Sequence, residues 1–153
     1  MRTFHEWMDE YAISHQNPTN QLIHKIFVPL IMLSVLGILW SIPSPAFFVY
    51  ARGLNWATLF VIFALSFYYR LNRWMFVGMM IQTTIMLMIC AYVATTGFLL
   101  QASIAVFVVS WIFQFWGHKI EGKKPSFATD LAFLLIGPMW VQRFVFAKLG
   151  LKV

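Results

Sequence analysis

A chain of 153 residues that is 61% hydrophobic and only 10% charged does not fit an ordinary soluble domain, in which about half the residues are apolar and about a quarter are charged. The net charge is +6, but the basic residues stand at the ends of oily runs, where they act as topology signals and lipid-headgroup contacts and not as a nucleic-acid surface. The single cysteine, Cys90, lies inside an apolar run and excludes an internal disulfide or a cysteine-based metal cluster within one chain.

The length suits one integral membrane domain over residues 1–153. At the amino end, Arg2 to Ser14 has the spacing of an amphipathic helix. Phe4, Trp7, Met8, Tyr11 and Ala12 share one face, and Glu6, Asp9 and Glu10 occupy the other. Those acidic residues are not the basic start of a signal peptide. Asn17 is a suitable helix cap and Pro18 suits the first helical position, so a second helix is expected to begin there and enter the membrane.

Four oily runs follow: about Ile26 to Pro43, Leu54 to Tyr69, Trp74 to Thr95 and Phe98 to Trp116. Each approaches the roughly 20 residues that cross a bilayer as a helix, the second being short. Trp40, Trp56, Tyr68, Tyr69, Trp74, Trp111 and Trp116 lie near the run ends, as an aromatic belt requires. The segment from Phe127 to Leu149 differs, because Asp130, Gly137-Pro138, Gln142 and Arg143 disturb a lipid-facing span. A broken, interfacial or partly re-entrant helical segment is expected there. The fold class is therefore an all-α membrane bundle of about four crossings, with an amphipathic amino-terminal helix and a broken carboxyl-terminal segment.

Charge distribution orients it. Arg70 and Arg73 follow the second run, and Lys119, Lys123 and Lys124 follow the fourth. The loop after the first run carries only Arg52, and the loop after the third carries no charge. The positive-inside rule then places the amino end, the second loop and the fourth loop in the cytoplasm. His15 and His24 precede the first crossing and His118 follows the fourth, so an even number of crossings returns all three to one membrane face.

Imidazole is a common metal ligand, and imidazole with carboxylate suits non-haem iron. Asn20 and His24 share a helix face, as do His118 and Glu121 if their helix continues. Each residue also has an ordinary role. The histidines can be interfacial hydrogen-bonding groups, Glu121 can pair with Lys123 or Lys124, and Asp130 can cap the last helix. His5 lies on an exposed amino end. No serine-nucleophile elbow, phosphate-binding glycine loop or dinucleotide fingerprint is present.

Two blocks carry a resemblance. One holds Tyr11, His15, Asn17-Pro18, Asn20, His24 and Phe27-Val28-Pro29. The other holds Trp111 to Phe115, Gly117-His118, Glu121 and Pro125, and Asp130, Pro138 and the Lys148-Leu149-Gly150 ending follow. Together they resemble a small membrane family whose fungal member is an iron(II)-dependent 2-hydroxy fatty acid dioxygenase of the endoplasmic reticulum. The resemblance implies α-oxidation, in which dioxygen and a 2-hydroxy fatty acid yield a fatty acid shortened by one carbon. It implies His15, His24 and His118 as ligands of Fe(II), and Glu121 and Asp130 as the acidic positions. Asn20 and Gln114 would be supporting or substrate-positioning groups. Lys123, Lys124 and Arg143 are candidates to attract the substrate carboxylate. The spacing from His118 to Glu121 is shorter than in the fungal member, which argues against Glu121 as a direct ligand. Size and charge suggest a bacterial relative in the cytoplasmic membrane. The competing readings are a zinc-dependent lipid hydrolase on the same histidines and a non-enzymatic lipid-binding membrane protein.

Overall fold

The computed structural model of the protein describes residues 2–46, 48, 53–128 and 130–151. Among these residues there is no strand. The helices are α1 (Phe4–Ile13), α2 (Pro18–Ser41), α3 (Trp56–Leu71), α4 (Arg73–Ala94), α5 (Leu99–Glu121) and α6 (Phe133–Lys148), with a short 3-10 turn, Ser126–Ala128, ahead of α6. The all-α architecture expected from the sequence is the one formed. Arg52 lies outside the described residues.

Helix boundaries follow local chemistry. The Asn17 side chain accepts from the N–H groups of Thr19 and Asn20, with Pro18 at the first position of α2. Asn72 ends α3 and caps α4, accepting from Trp74 and Met75. Gly122, with φ of 72°, stops α5 in a left-handed turn. Three helices, α2, α4 and α5, are long and apolar enough to cross a membrane. With 16 residues, α3 is about 24 Å long at 1.5 Å per residue, short of the roughly 30 Å hydrocarbon layer.

Helix α2 is the hub and packs against α3, α4, α5 and α6. It runs antiparallel to α5 at close range. Gly117 faces Asn20, and Gly37 faces Ser103 so tightly that a methyl group at residue 37 would overlap the Ser103 hydroxyl. Between these points Phe27 stacks on Phe113 with ring centroids 4.4 Å apart. Small residues at the crossing let the backbones approach where apolar burial offers little net drive in lipid.

Helix α1 buries Phe4, Trp7, Met8 and Tyr11, the face its spacing predicted, and lies on α6, where Trp7 meets Phe133 edge-on at 5.1 Å. The carboxyl-terminal segment is broken as expected, and the break falls ahead of Phe133. Gly137 and Pro138 lie within α6, which stays helical through them. Proline leaves the Leu134 carbonyl without its usual helix donor. The Tyr68 hydroxyl on α3 donates to the neighbouring Leu135 carbonyl at 3.0 Å, supporting this turn from outside. Of the aromatics expected at an interfacial belt, Trp74 and Trp116 are exposed, whereas Tyr68 is core.

Candidate metal centre

Three chain segments meet where α1, the start of α2 and the end of α5 converge. His15 occupies the bend after α1, His24 lies within α2, and His118 lies in the last turn of α5. All three are buried, and each offers a ligand atom within 4.8 Å of the others. The even number of helices between them brings His118 back to the face that carries His15 and His24.

Two of the rings are held alike. His15 Nδ1 lies 2.6 Å from the Tyr11 carbonyl and His24 Nδ1 lies 2.9 Å from the Asn20 carbonyl, each four residues upstream. A carbonyl only accepts, so each Nδ1 carries the hydrogen and each Nε2 keeps a free lone pair. The two Nε2 atoms face one another at 2.9 Å. Facing lone pairs at that distance repel unless a cation or shared proton sits between them. A ligand histidine that donates its other N–H to a carbonyl is the usual outer-shell arrangement at metal sites. His118 adds an imidazole whose Nδ1 is buried without a hydrogen-bond partner. Burial pushes the His15 imidazole down to about 4, outweighing the opposing pull of the Tyr11 carbonyl, so the ring is neutral at physiological pH and fit to ligate. The donor set fits a metal ion.

The bend carrying His15 is clamped. Glu121 Oε1 accepts from Gln16 N at 2.8 Å, and Oε2 accepts from Asn17 N at 2.9 Å and from Asn20 Nδ2 at 3.1 Å. Asn20, fully buried, also donates to the Ser14 carbonyl at 3.2 Å, and Gln21 donates to the His15 carbonyl at 2.9 Å. Gly117 makes room for Asn20, because a methyl group there would overlap Asn20 Oδ1. Glu121 thus reads the loop backbone and forms no ion pair with Lys123 or Lys124 among the described residues.

Gln114 is buried one turn before His118, with Oε1 lacking a partner. It lines a cleft together with Tyr11, His24, His118, Trp111 and Pro138. The remaining candidates lie elsewhere. Asp130 accepts from Ala132 N at 2.9 Å ahead of α6 and pairs with Arg2 at 3.5 Å. Lys123 donates to the Ile13 carbonyl at 2.7 Å, and Lys124 and His5 are exposed. Arg143 lies on α6 with its guanidinium 5.9 Å from the Phe144 ring. No lysine or arginine among the described residues lines the cleft.

Several supporting residues carry no metal-ligand signature. Tyr11 stacks on His15 with centroids 4.0 Å apart and planes within 9°. Trp140 flanks the same ring at 5.2 Å. Ser14 Oγ lies 3.2 Å from His15 Nδ1 and 2.7 Å from Ser126 Oγ. In the sequence Tyr11 belonged to the apolar face of α1 and to the block that carries the resemblance, but neither gave it a contact with His15. The roles of Trp140 and Ser126 depend on how α6 and the 3-10 turn fold back.

Fold and site define a helical membrane protein with a buried three-histidine group able to hold a metal ion. The family model described as 2-hydroxy-palmitic acid dioxygenase Mpo1-like matches residues 1–149, and the chain belongs to that family. It is similar to the 2-hydroxy-palmitic acid dioxygenase MPO1 of Saccharomyces cerevisiae, with 29% identity over 143 residues that cover 92% of this chain and 78% of the yeast protein. No solved structure matches the chain.

Proposed function

We propose that the protein is a membrane-bound iron(II) dioxygenase that converts a 2-hydroxy fatty acid into a fatty acid one carbon shorter. The observation that carries this reading is the pair of lone-pair nitrogens, His15 Nε2 and His24 Nε2, 2.9 Å apart beside His118 at the end of an apolar cleft. Three neutral imidazoles are donors that ferrous iron and zinc both accept, and the family's dioxygenase name supports iron. Family membership and the yeast relative's name supply the substrate class.

Bound iron would supply a Lewis acid for the substrate head and an open position for dioxygen. The protein does the rest. His15, His24 and His118 hold the ion, and the Tyr11 and Asn20 carbonyls fix two of the rings. A carboxylate entering a cleft without lysine or arginine needs a cation at its end, which the three-histidine centre would provide. Gln114 presents a buried amide oxygen to accept the 2-hydroxyl hydrogen. Burial pushes the Tyr11 hydroxyl up, so it stays protonated as a donor to the head group. The apolar wall excludes water. Atoms and electrons balance with dioxygen alone: the 2-hydroxy carbon becomes the new carboxyl, its bond to the old carboxyl carbon breaks, and carbon dioxide and water leave. The histidine face is assigned to the cytoplasmic side, on the strength of the arginines and lysines that flank it in sequence.

Anaerobically purified protein reconstituted with ferrous iron tests this. With 2-hydroxypalmitic acid it should consume oxygen and release the odd-chain acid, one labelled oxygen from dioxygen appearing in the new carboxyl. Oxygen-independent hydrolysis of an ester or amide lipid by the zinc form, with no oxygen uptake by the iron form, would overturn it.

A further inference from the structure

The cleft at the histidines does not end at Gln114. It shares Ile31, Met32, Trp111, Leu134 and Pro138 with a second, larger cavity of about 350 Å³. That cavity extends between α2, α3 and α5 to Leu36, Phe60 and Val61. Helix α3 begins at Trp56 and Leu36 is near the end of α2, so these residues mark the end remote from the histidines. Ala64 lies one turn nearer the site. The wall carries no charged residue. Its two hydroxyl side chains besides the apolar ones are committed elsewhere, Tyr68 to the Leu135 carbonyl at 3.0 Å and Thr83 to the Met79 carbonyl at 2.8 Å.

From His24 to Leu36 the helix rises about 18 Å at 1.5 Å per residue. That is slightly more than half of the roughly 30 Å hydrocarbon layer, the depth one lipid tail occupies in its own leaflet. A channel that is polar at one end, apolar along its length and one tail deep suits an amphiphile with a small head and a single chain.

Resting on the oxygenase reading of the site, we propose that this second cavity is the acyl channel of the enzyme. The substrate's tail runs along α2 from His24 to Leu36, and Ala64, Val61 and Phe60 set the chain length accepted. A side chain larger than alanine at residue 64 projects across the channel and leaves room only for short tails. Removing the Phe60 ring opens the far end.

The test pairs a binding readout with kinetics, on full-length protein in lipid nanodiscs. A 2-hydroxypalmitic acid bearing a diazirine at its methyl end is photolysed with the wild type, and the labelled peptides are mapped by mass spectrometry. Labels should fall on the stretches of α2 and α3 containing Leu36, Phe60 and Val61, and excess unlabelled 2-hydroxypalmitic acid should suppress them. For Ala64→Leu, kcat/KM for 2-hydroxypalmitic acid should fall at least about tenfold, the scale of a few methylenes refused by an apolar pocket. With 2-hydroxyoctanoic acid it should stay within about threefold of wild type. Phe60→Ala should shift preference toward longer acids, and with the photoprobe it decides the matter if Ala64→Leu does not fold. Labels on lipid-facing residues such as Ile85 and Met88, unaffected by competitor, would overturn the channel, as would equal loss of both acids in Ala64→Leu with unchanged labelling. Competed labelling without oxygen-dependent turnover would leave the channel standing and remove the oxygenase. Turnover with labels elsewhere would do the reverse.

Discussion

Replacing Glu121 by glutamine tests whether this residue positions the site or ligates the metal. Its carboxylate accepts three hydrogen bonds, from Gln16 N at 2.8 Å, Asn17 N at 2.9 Å and Asn20 Nδ2 at 3.1 Å. Together they tie the end of α5 to the bend that carries His15. Hydrogen bonds to a charged acceptor contribute about 1.5–3 kcal/mol each. Glu121 is partly exposed, and the amide keeps one acceptor while turning a donor toward the remaining N–H groups. A net loss of about 2–3 kcal/mol follows once solvent screening is allowed for. For a chain of this size that lowers Tm by about 4–12 °C, at about 2–4 °C per kcal/mol. Because His15 loses its anchorage, metal affinity should weaken about 10- to 100-fold, the usual cost of losing a group that holds a ligand in place. Thermal unfolding in detergent and competitive metal titration measure the two effects. The variant should still fill with metal at saturation and show unchanged nitrogen coordination by X-ray absorption. Wild-type Tm and affinity would refute the clamp. A folded variant that binds no metal at any concentration would make Glu121 a ligand.

Three further outcomes follow from the packing. Gly37→Ala places a methyl group on the Ser103 hydroxyl and should destabilise by about 1–3 kcal/mol; Ser103→Gly in the same chain should recover most of that loss, and simple additivity in the double-mutant cycle would contradict the contact. Tyr68→Phe removes the external donor to the part-buried Leu135 carbonyl, so thermal unfolding should show a loss of about 0.5–1.5 kcal/mol with metal content unchanged. In metal-free protein, burial holds His15 at about 4 against roughly 6.5 in the unfolded chain. The unfolded state takes up the proton first, so this contribution to stability is complete above about pH 6.5, declines as pH falls toward 4 and then levels off; urea titrations across that range should be flatter for His15→Gln.

The bundle was legible because its signals are local. Charge-free runs marked the helices, three of them long and apolar enough to cross a membrane where about four crossings were expected, and Asn17-Pro18 marked the start of α2. The parity of the crossings put His118 on the face of His15 and His24. What stayed hidden depends on which side chains face one another across helices. The lysines after α5 offered a plausible partner for Glu121, and only the fold shows that its oxygens meet backbone N–H groups of residues 16 and 17 instead. Asp130 does not cap α6, whose N-cap is Ala132 with no side-chain cap bond; its carboxylate instead accepts from Ala132 N and pairs with Arg2. Gly117 looked like one small residue among many until Asn20 was seen packed against it. Pro138 suggested a broken segment, but α6 stays helical through it and the interruption lies earlier, ahead of Phe133.

The most direct test of the metal centre is elemental analysis of protein purified anaerobically in detergent and reconstituted with ferrous iron, wild type beside His15→Ala, His24→Ala and His118→Ala. The account predicts near-stoichiometric iron in the wild type and its loss in each folded variant. Wild-type protein without bound metal after reconstitution, or iron that survives all three substitutions, would contradict it.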